Sequence, residues 1–161
     1  MARLRVPVQL RWSDVDGYAH VNNVAMLTLL EESRIEAFWA SPPSVDDSGR
    51  GNRPTAIIDA GPGADTSTLV ARQQIEYLVP LAYRRAPVIV EMWLGHLGGA
   101  SMDVCYEVKD SGDDATVYAR AETTVVLVDA ATGRPRRLGD AERAAWAPYV
   151  EEPVSFRHRG R

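Results

Sequence analysis

The chain has 161 residues, 45% of them hydrophobic and 25% charged, with a formal net charge of −4. That size and mixture fit one globular domain and exclude disordered, fibrous and membrane-embedded compositions. The acidic balance argues against the broad basic surface of a nucleic-acid binder. A single cysteine, Cys105, excludes an internal disulfide and a cysteine-built zinc cluster within one chain.

The opening MARLRVPVQLRWSDVDGYAH alternates apolar with polar residues and carries two acids, unlike a signal peptide or a basic presequence. No window approaches the ~18 uninterrupted apolar residues of a membrane span. A cytoplasmic protein is therefore expected.

Leu4, Val6, Val8, Leu10 and Trp12 alternate with Arg5, Gln9 and Arg11, which predicts a strand over 4–12 with one buried face. Pro7 has no N–H to donate and assigns that strand to a sheet edge. After a loop over 13–22, the run VAMLTLLEESRIEAFWA predicts a helix over 24–40, capped by Asn22 or Asn23 and ended by Ser41-Pro42-Pro43. Its first half is apolar nearly all round, and its second half carries Glu31, Glu32, Arg34 and Glu36.

Residues 44–67 are rich in Asp, Gly, Pro and Ser and read as a long loop, either mobile or a lid. Strand alternation then returns over 69–79, 88–96, 101–109 and 116–129, with turns at Gly98-Gly99 and at 111–114, so the last strands form a meander. AERAAWAPYV predicts a short helix, and residues 151–161 a frayed basic tail. The order is one strand, one buried helix and four antiparallel strands. It predicts an α+β fold, a single domain over 1–150 in which a curled antiparallel sheet wraps one long central helix, the hot-dog arrangement.

The loop before the helix gathers Asp14, Asp16, His20, Asn22 and Asn23 within ten residues. The first N–H groups of a helix lack intrahelical partners and can stabilise a developing oxyanion. A carboxylate beside them can activate water or attack a carbonyl directly. The same residue types also serve simply as turn and cap formers.

The segment RWSDVDGYAHVNNVAMLTLLEESR resembles the signature of the 4-hydroxybenzoyl-CoA thioesterase and acyl-CoA thioesterase family of hot-dog enzymes. VARQQIEYLVPL over 70–81 resembles a following strand of that family, and YARAETTVVLVDAATGRPRRL over 118–138 its last strand and tail. The resemblance implies a thioester hydrolase with Asp16 as catalytic carboxylate and the Asn23 backbone N–H as oxyanion donor. It implies that Tyr18, His20, Asn22 and Val24 line the substrate site, with Asp14 bracing the loop. Coenzyme A would be part of the substrate, with no other cofactor and no metal. Arg84, Arg85, Arg134, Arg136 and Arg137 are candidate partners for its phosphates. A homodimer, or a tetramer of dimers, with the site at the interface is implied as well.

Two rival readings share the cleft: a hot-dog hydratase or dehydratase using Asp16 with His20, and a non-catalytic acyl-CoA sensor. Asp14-Val15-Asp16-Gly17 lacks the glycine and glutamate of a calcium loop, Ala19 and Ala25 standing at those positions. Gly61-Pro62-Gly63 reads as a turn, Cys105 as an inert buried thiol, and His96 and His158 as unassigned. Glu31 and Glu32 are expected to face solvent or pair with Arg34, and offer a fallback acid if Asp16 fails.

Overall fold

The strand signals resolve into one antiparallel sheet of five strands: β1 (Leu4–Val8), β2 (Thr66–Tyr77), β3 (Val88–Leu97), β4 (Ser101–Lys109) and β5 (Val117–Asp129). They lie in the order β1-β3-β4-β5-β2. Helix α1 spans Asn23–Phe38 and α2 spans Asp140–Trp146. The structure is a computed structural model and describes residues 2–40, 53–59, 61–112 and 115–157. The expected helix stop at Pro42-Pro43, most of the expected lid, part of the turn at 111–114 and His158 lie outside the described residues.

Strand β1 stops four residues before the alternation does. The Asp14 carboxylate accepts the Arg11 N–H at 2.7 Å, which bends Trp12–Asp14 into a short 3-10 turn and leaves Trp12 exposed. Pro7 lies on the outer edge as expected, opposite Ile89. The tight β3–β4 connection closes with Gly98 N–H donating to Ser101 C=O at 2.8 Å.

The buried positions of α1 are Met26, Leu29, Leu30, Ser33, Arg34, Ala37 and Phe38, a single stripe at helical spacing. That stripe belongs to the same core as Met92, Val104, Tyr106, Val125 and Leu127 of the sheet. The opposite face, with Val24, Glu31, Glu32 and Ile35, is exposed. The apolar first half predicts a helix that enters the core at its N-terminal end and surfaces later; instead Val24 at the start is exposed and Ala37 and Phe38 at the end are buried. One chain covers one side only, because a single sheet offers a helix a single face.

The chain leaves α1 by pairing: Ile58 N–H donates to Phe38 C=O and Ala40 N–H to Ile58 C=O, both at 2.9 Å. Thr55 is fully buried, donating its hydroxyl to Ala37 C=O at 2.6 Å and accepting the Trp146 indole N–H at 3.0 Å. Residues 53–59 of the expected loop are thus anchored beneath α1 and α2, because these side-chain and backbone groups find partners there.

Residues 151–157, expected to fray, lie along the outer face of the sheet. Val154 and Phe156 pack on Trp93 and Cys105, and the Trp93 indole donates to Glu152 C=O at 2.8 Å. Arg3 sits 3.8 Å over the Trp93 ring and pairs with Glu151, which ties the tail to the N-terminus. Burial pushes the Cys105 thiol up to about 11, which makes it an inert packing group.

Candidate active site

The loop between β1 and α1 is built in two parts. In the first, Asp14 is 1% exposed and accepts from Arg11 three ways: the backbone N–H, Nε at 3.2 Å and Nη2 at 2.8 Å. Burial pushes the Asp14 carboxyl up, but the hydrogen bonds and charge of Arg11 outweigh it and hold it below the usual carboxylate range. Asp14 C=O also accepts the Asn22 N–H at 2.7 Å, so the loop's two ends are joined. The bracing role expected of Asp14 therefore has a structural basis in these contacts.

In the second part the chain turns tightly. Asp16 N–H donates to His20 C=O at 2.8 Å, Ala19 N–H returns to Asp16 C=O at 3.1 Å, and Ala19 takes a left-handed conformation with φ 62°. Asp16 Oδ1 accepts the backbone N–H of Tyr18 at 2.8 Å and of His20 at 3.3 Å. Its second oxygen has no hydrogen-bond partner among the described residues. The contacts between His20 and Asp16 run through the His20 backbone, and Tyr18 is almost fully exposed.

Val21 N–H then donates to Leu81 C=O at 2.7 Å, docking the turn on the β2–β3 connection. Asn22 caps α1, its side chain accepting the Val24 N–H at 2.8 Å, which fixes the N-cap at Asn22 rather than Asn23. Asn23 is the first helical residue, so its N–H has no partner within the helix. Tyr77, on β2, donates its hydroxyl to Asn23 C=O at 2.8 Å. Burial raises that hydroxyl's pKa and keeps it a neutral donor. Chain reading alone passed over Tyr77, because a contact across 54 residues leaves no local signal.

The candidate phosphate partners divide. Arg84 pairs with Asp110 and lies 5.1 Å over the Tyr118 ring, while Arg136 holds Glu142 through two nitrogens and Thr66 Oγ1 at 2.8 Å. Arg136 is engaged by the protein itself, and Arg84 is held through Nη1 while its Nε and Nη2 are buried without a hydrogen-bond partner among the described residues. Arg85, Arg134 and Arg137 are exposed. Arg84 stands near the start of β5 and Arg134 just past its end, with 13 residues of strand between them, about 40 Å. The two clusters therefore do not form one surface within the chain.

A cavity of about 220 Å³ opens between the second half of α1 and strands β2 and β5. Glu31, Arg34, Ile35, Trp39, Thr68, Val70 and Val125 line it. Glu31 and Glu32 are exposed as expected, but Arg34 is 3% exposed. The helical period contained that signal: Arg34 stands four residues from both Leu30 and Phe38, in the middle of the buried stripe.

A family model describing the thioesterase-like superfamily matches residues 10–152. The chain belongs to that superfamily. No curated protein matches it by sequence. Among solved structures, this thioesterase-like chain resembles the PA5185 protein of Pseudomonas aeruginosa, at 21% identity and a TM-score of 0.72 over 94% of each chain. It also resembles a thioesterase-superfamily protein of Jannaschia sp. CCS1, at 18% identity and a TM-score of 0.71, covering 93% of this chain and 94% of that one. A 1,4-dihydroxy-2-naphthoyl-CoA thioesterase of Synechocystis is similar at 17% identity and a TM-score of 0.69, covering 91% and 96%. At such identities the likeness establishes the hot-dog fold. Among the described residues no helix is long and apolar enough to cross a membrane.

Proposed function

We propose that this member of the thioesterase-like superfamily hydrolyses acyl-CoA thioesters, with Asp16 as base or nucleophile and the Asn23 N–H holding the carbonyl oxygen. The observation that carries the reading is the Asp16 turn. Two backbone N–H groups fix one carboxylate oxygen, the other is left unbonded, and the turn ends at a helix N-terminus. In the general-base form, Asp16 Oδ2 takes a proton from water as the water oxygen adds to the thioester carbon. The oxyanion rests on the Asn23 N–H, and collapse expels CoA thiolate, which then receives the proton. In the nucleophilic form, Asp16 itself adds to the carbon, thiolate leaves, and water opens the resulting anhydride. Thiolate leaves without a strong acid, so the site needs no triad and no cofactor beyond the CoA of the substrate. Tyr18, His20, Asn22 and Val24 form the rim, and exposed Arg85, three residues past the Ala82 that bridges His20, is the candidate for CoA phosphate.

The active form is a homodimer joined along β2. That strand is a 12-residue open edge with Leu69, Val70 and Tyr77 exposed, and the nearby Val79, Val24 and Ile35 add to the uncovered apolar surface. Long apolar edges seek another strand, and a two-fold pairing is self-complementary. Pairing about the strand midpoint sets Tyr77 opposite the partner's Thr66. Because Tyr77 holds Asn23, the Asp16 turn of one copy then meets the cavity mouth of the other beside Thr68. The second copy also encloses the free face of α1, which completes a sheet around central helices.

Two measurements test this. Release of free thiol from short, long and aromatic acyl-CoAs is the expected result. Alteration of the acyl chain without thiol release would replace the hydrolase with a hydratase, and binding without turnover would leave a sensor. Val70→Lys puts a charge on the open edge; sedimentation should show a monomer, with thiol release lost alongside. A fully active monomer would sink the shared site.

A further inference from the structure

A guanidinium removed from water is costly unless its charge and its donors are matched. Those of Arg34 are matched only in part. Nη1 donates to the Tyr106 hydroxyl at 3.1 Å, and that hydroxyl, itself buried, also bonds Thr123. The nearest carboxylate oxygen, Glu31 Oε1, stands 3.9 Å from Nη2, beyond hydrogen-bond distance, on a side chain that is 58% exposed. A guanidinium carries five N–H donors. One is used, and the others have no acceptor within bonding distance among the described residues.

The spare donors belong to a side chain that lines the cavity. The rest of the wall is divided between apolar Ile35, Trp39, Val70 and Val125 and polar Thr68 and Glu31. A chamber that sets apolar side chains beside a cationic fork suits an aliphatic chain that ends in an oxyanion. A fork of parallel N–H groups matches a carboxylate better than it matches a hydroxyl or a ketone. Glu31 does not oppose this. Its oxygen stands 3.9 Å from Nη2, beyond hydrogen-bond distance, so the fork is left for a substrate carboxylate to bond.

We infer that Arg34 is a specificity residue and that the preferred acyl group carries a terminal carboxylate, so that the substrates are dicarboxylic acyl-CoAs. The inference rests on the thioesterase reading for its chemistry and on the Arg34 cavity for its selectivity. The cavity of about 220 Å³ admits a short chain. Four methylenes and a carboxylate, the part of an adipoyl group beyond its thioester, come to about seven non-hydrogen atoms.

The test compares adipoyl-CoA with hexanoyl-CoA, of equal carbon number, by thiol release from the full chain. Adipoyl-CoA should be preferred in kcat/KM by about tenfold or more. Arg34→Met keeps the bulk and removes the charge. It should lower kcat/KM for adipoyl-CoA by about 30-fold and leave hexanoyl-CoA equal or better. Glu31→Gln, which removes the competing carboxylate, should raise adipoyl-CoA turnover at low substrate. Should Arg34→Met fail to fold by circular dichroism, Arg34→Lys, which keeps the charge without the fork, should narrow the preference.

Equal or better use of hexanoyl-CoA by the wild type, or an equal fall for both substrates in the variants, overturns the inference. Calorimetric binding of both thioesters to the Asp16→Asn protein separates it from the hydrolase reading. Tighter adipoyl-CoA binding without any wild-type turnover keeps Arg34 and removes the thioesterase; equal binding removes Arg34.

Discussion

The two halves of the loop between β1 and α1 hold chemically identical carboxylates in opposite ways. In the first half Asp14 is buried and locked to Arg11 by charge and by three donors. In the second half Asp16 is half-buried, tied through one oxygen to backbone N–H groups, and free at the other. A carboxylate whose bonding capacity is filled is a brace, whereas one held firmly by a single edge can still take a proton or attack. The difference lies in the partners, since the residue type is the same two positions apart.

The sharpest way to break the comparison is to remove each charge in turn. Asp16→Asn keeps the amide oxygen that accepts Tyr18 and His20 N–H, so the turn and the melting temperature should survive. Thiol release should fall by about 10²–10⁴-fold. Near-normal turnover would return the catalytic role to another acid, with Glu31 first in line.

Asp14→Asn should do the reverse, costing about 2 kcal/mol of stability through the weakened Arg11 contacts while lowering kcat much less. Its pH dependence follows from the sign of the shift. The Asp14 carboxyl is held below its unfolded value, so its stabilisation is complete above the unfolded pKa of ~3.9 and is lost as pH falls through that value toward the native one. Denaturant midpoints of wild type and Asp14→Asn should therefore differ at pH 7 and converge in acid. A gap that persists unchanged in acid would assign the loss to packing.

Tyr77→Phe removes the hydroxyl that holds Asn23 C=O. The fold should stay, and kcat should fall by about three- to tenfold, near the worth of one neutral hydrogen bond. The smallest effect is expected at Ala19. Ala19→Gly relieves the left-handed conformation and gives back unfolded-state entropy, so stability should move by less than about 1 kcal/mol, with turnover unchanged.

Much of this was legible along the chain. Alternation marked all five strands, Pro7 marked an edge, and Asn22 was one of two cap candidates that the backbone then resolved. These are local signals, since a strand's period, a missing N–H and a cap each involve residues within a few positions. Strand ends were less legible: Leu10 stays buried in step with the alternation, yet the ladder ends at Val8 because Asp14 reaches back to the Arg11 N–H.

The site divides in the same way. By itself the sequence determined that Asp14, Asp16 and Asn23 crowd one loop at a helix start, because chain proximity guarantees it. Only the tertiary structure decided that Asp14 is the braced acid, that Tyr77 reaches Asn23, that Arg136 is committed to Glu142, and that Arg34 stands only partly matched beside a cavity. Periodicity reports which face a residue occupies. Which partner meets it there depends on elements dozens of residues away, and for a charged group the partner fixes its chemistry.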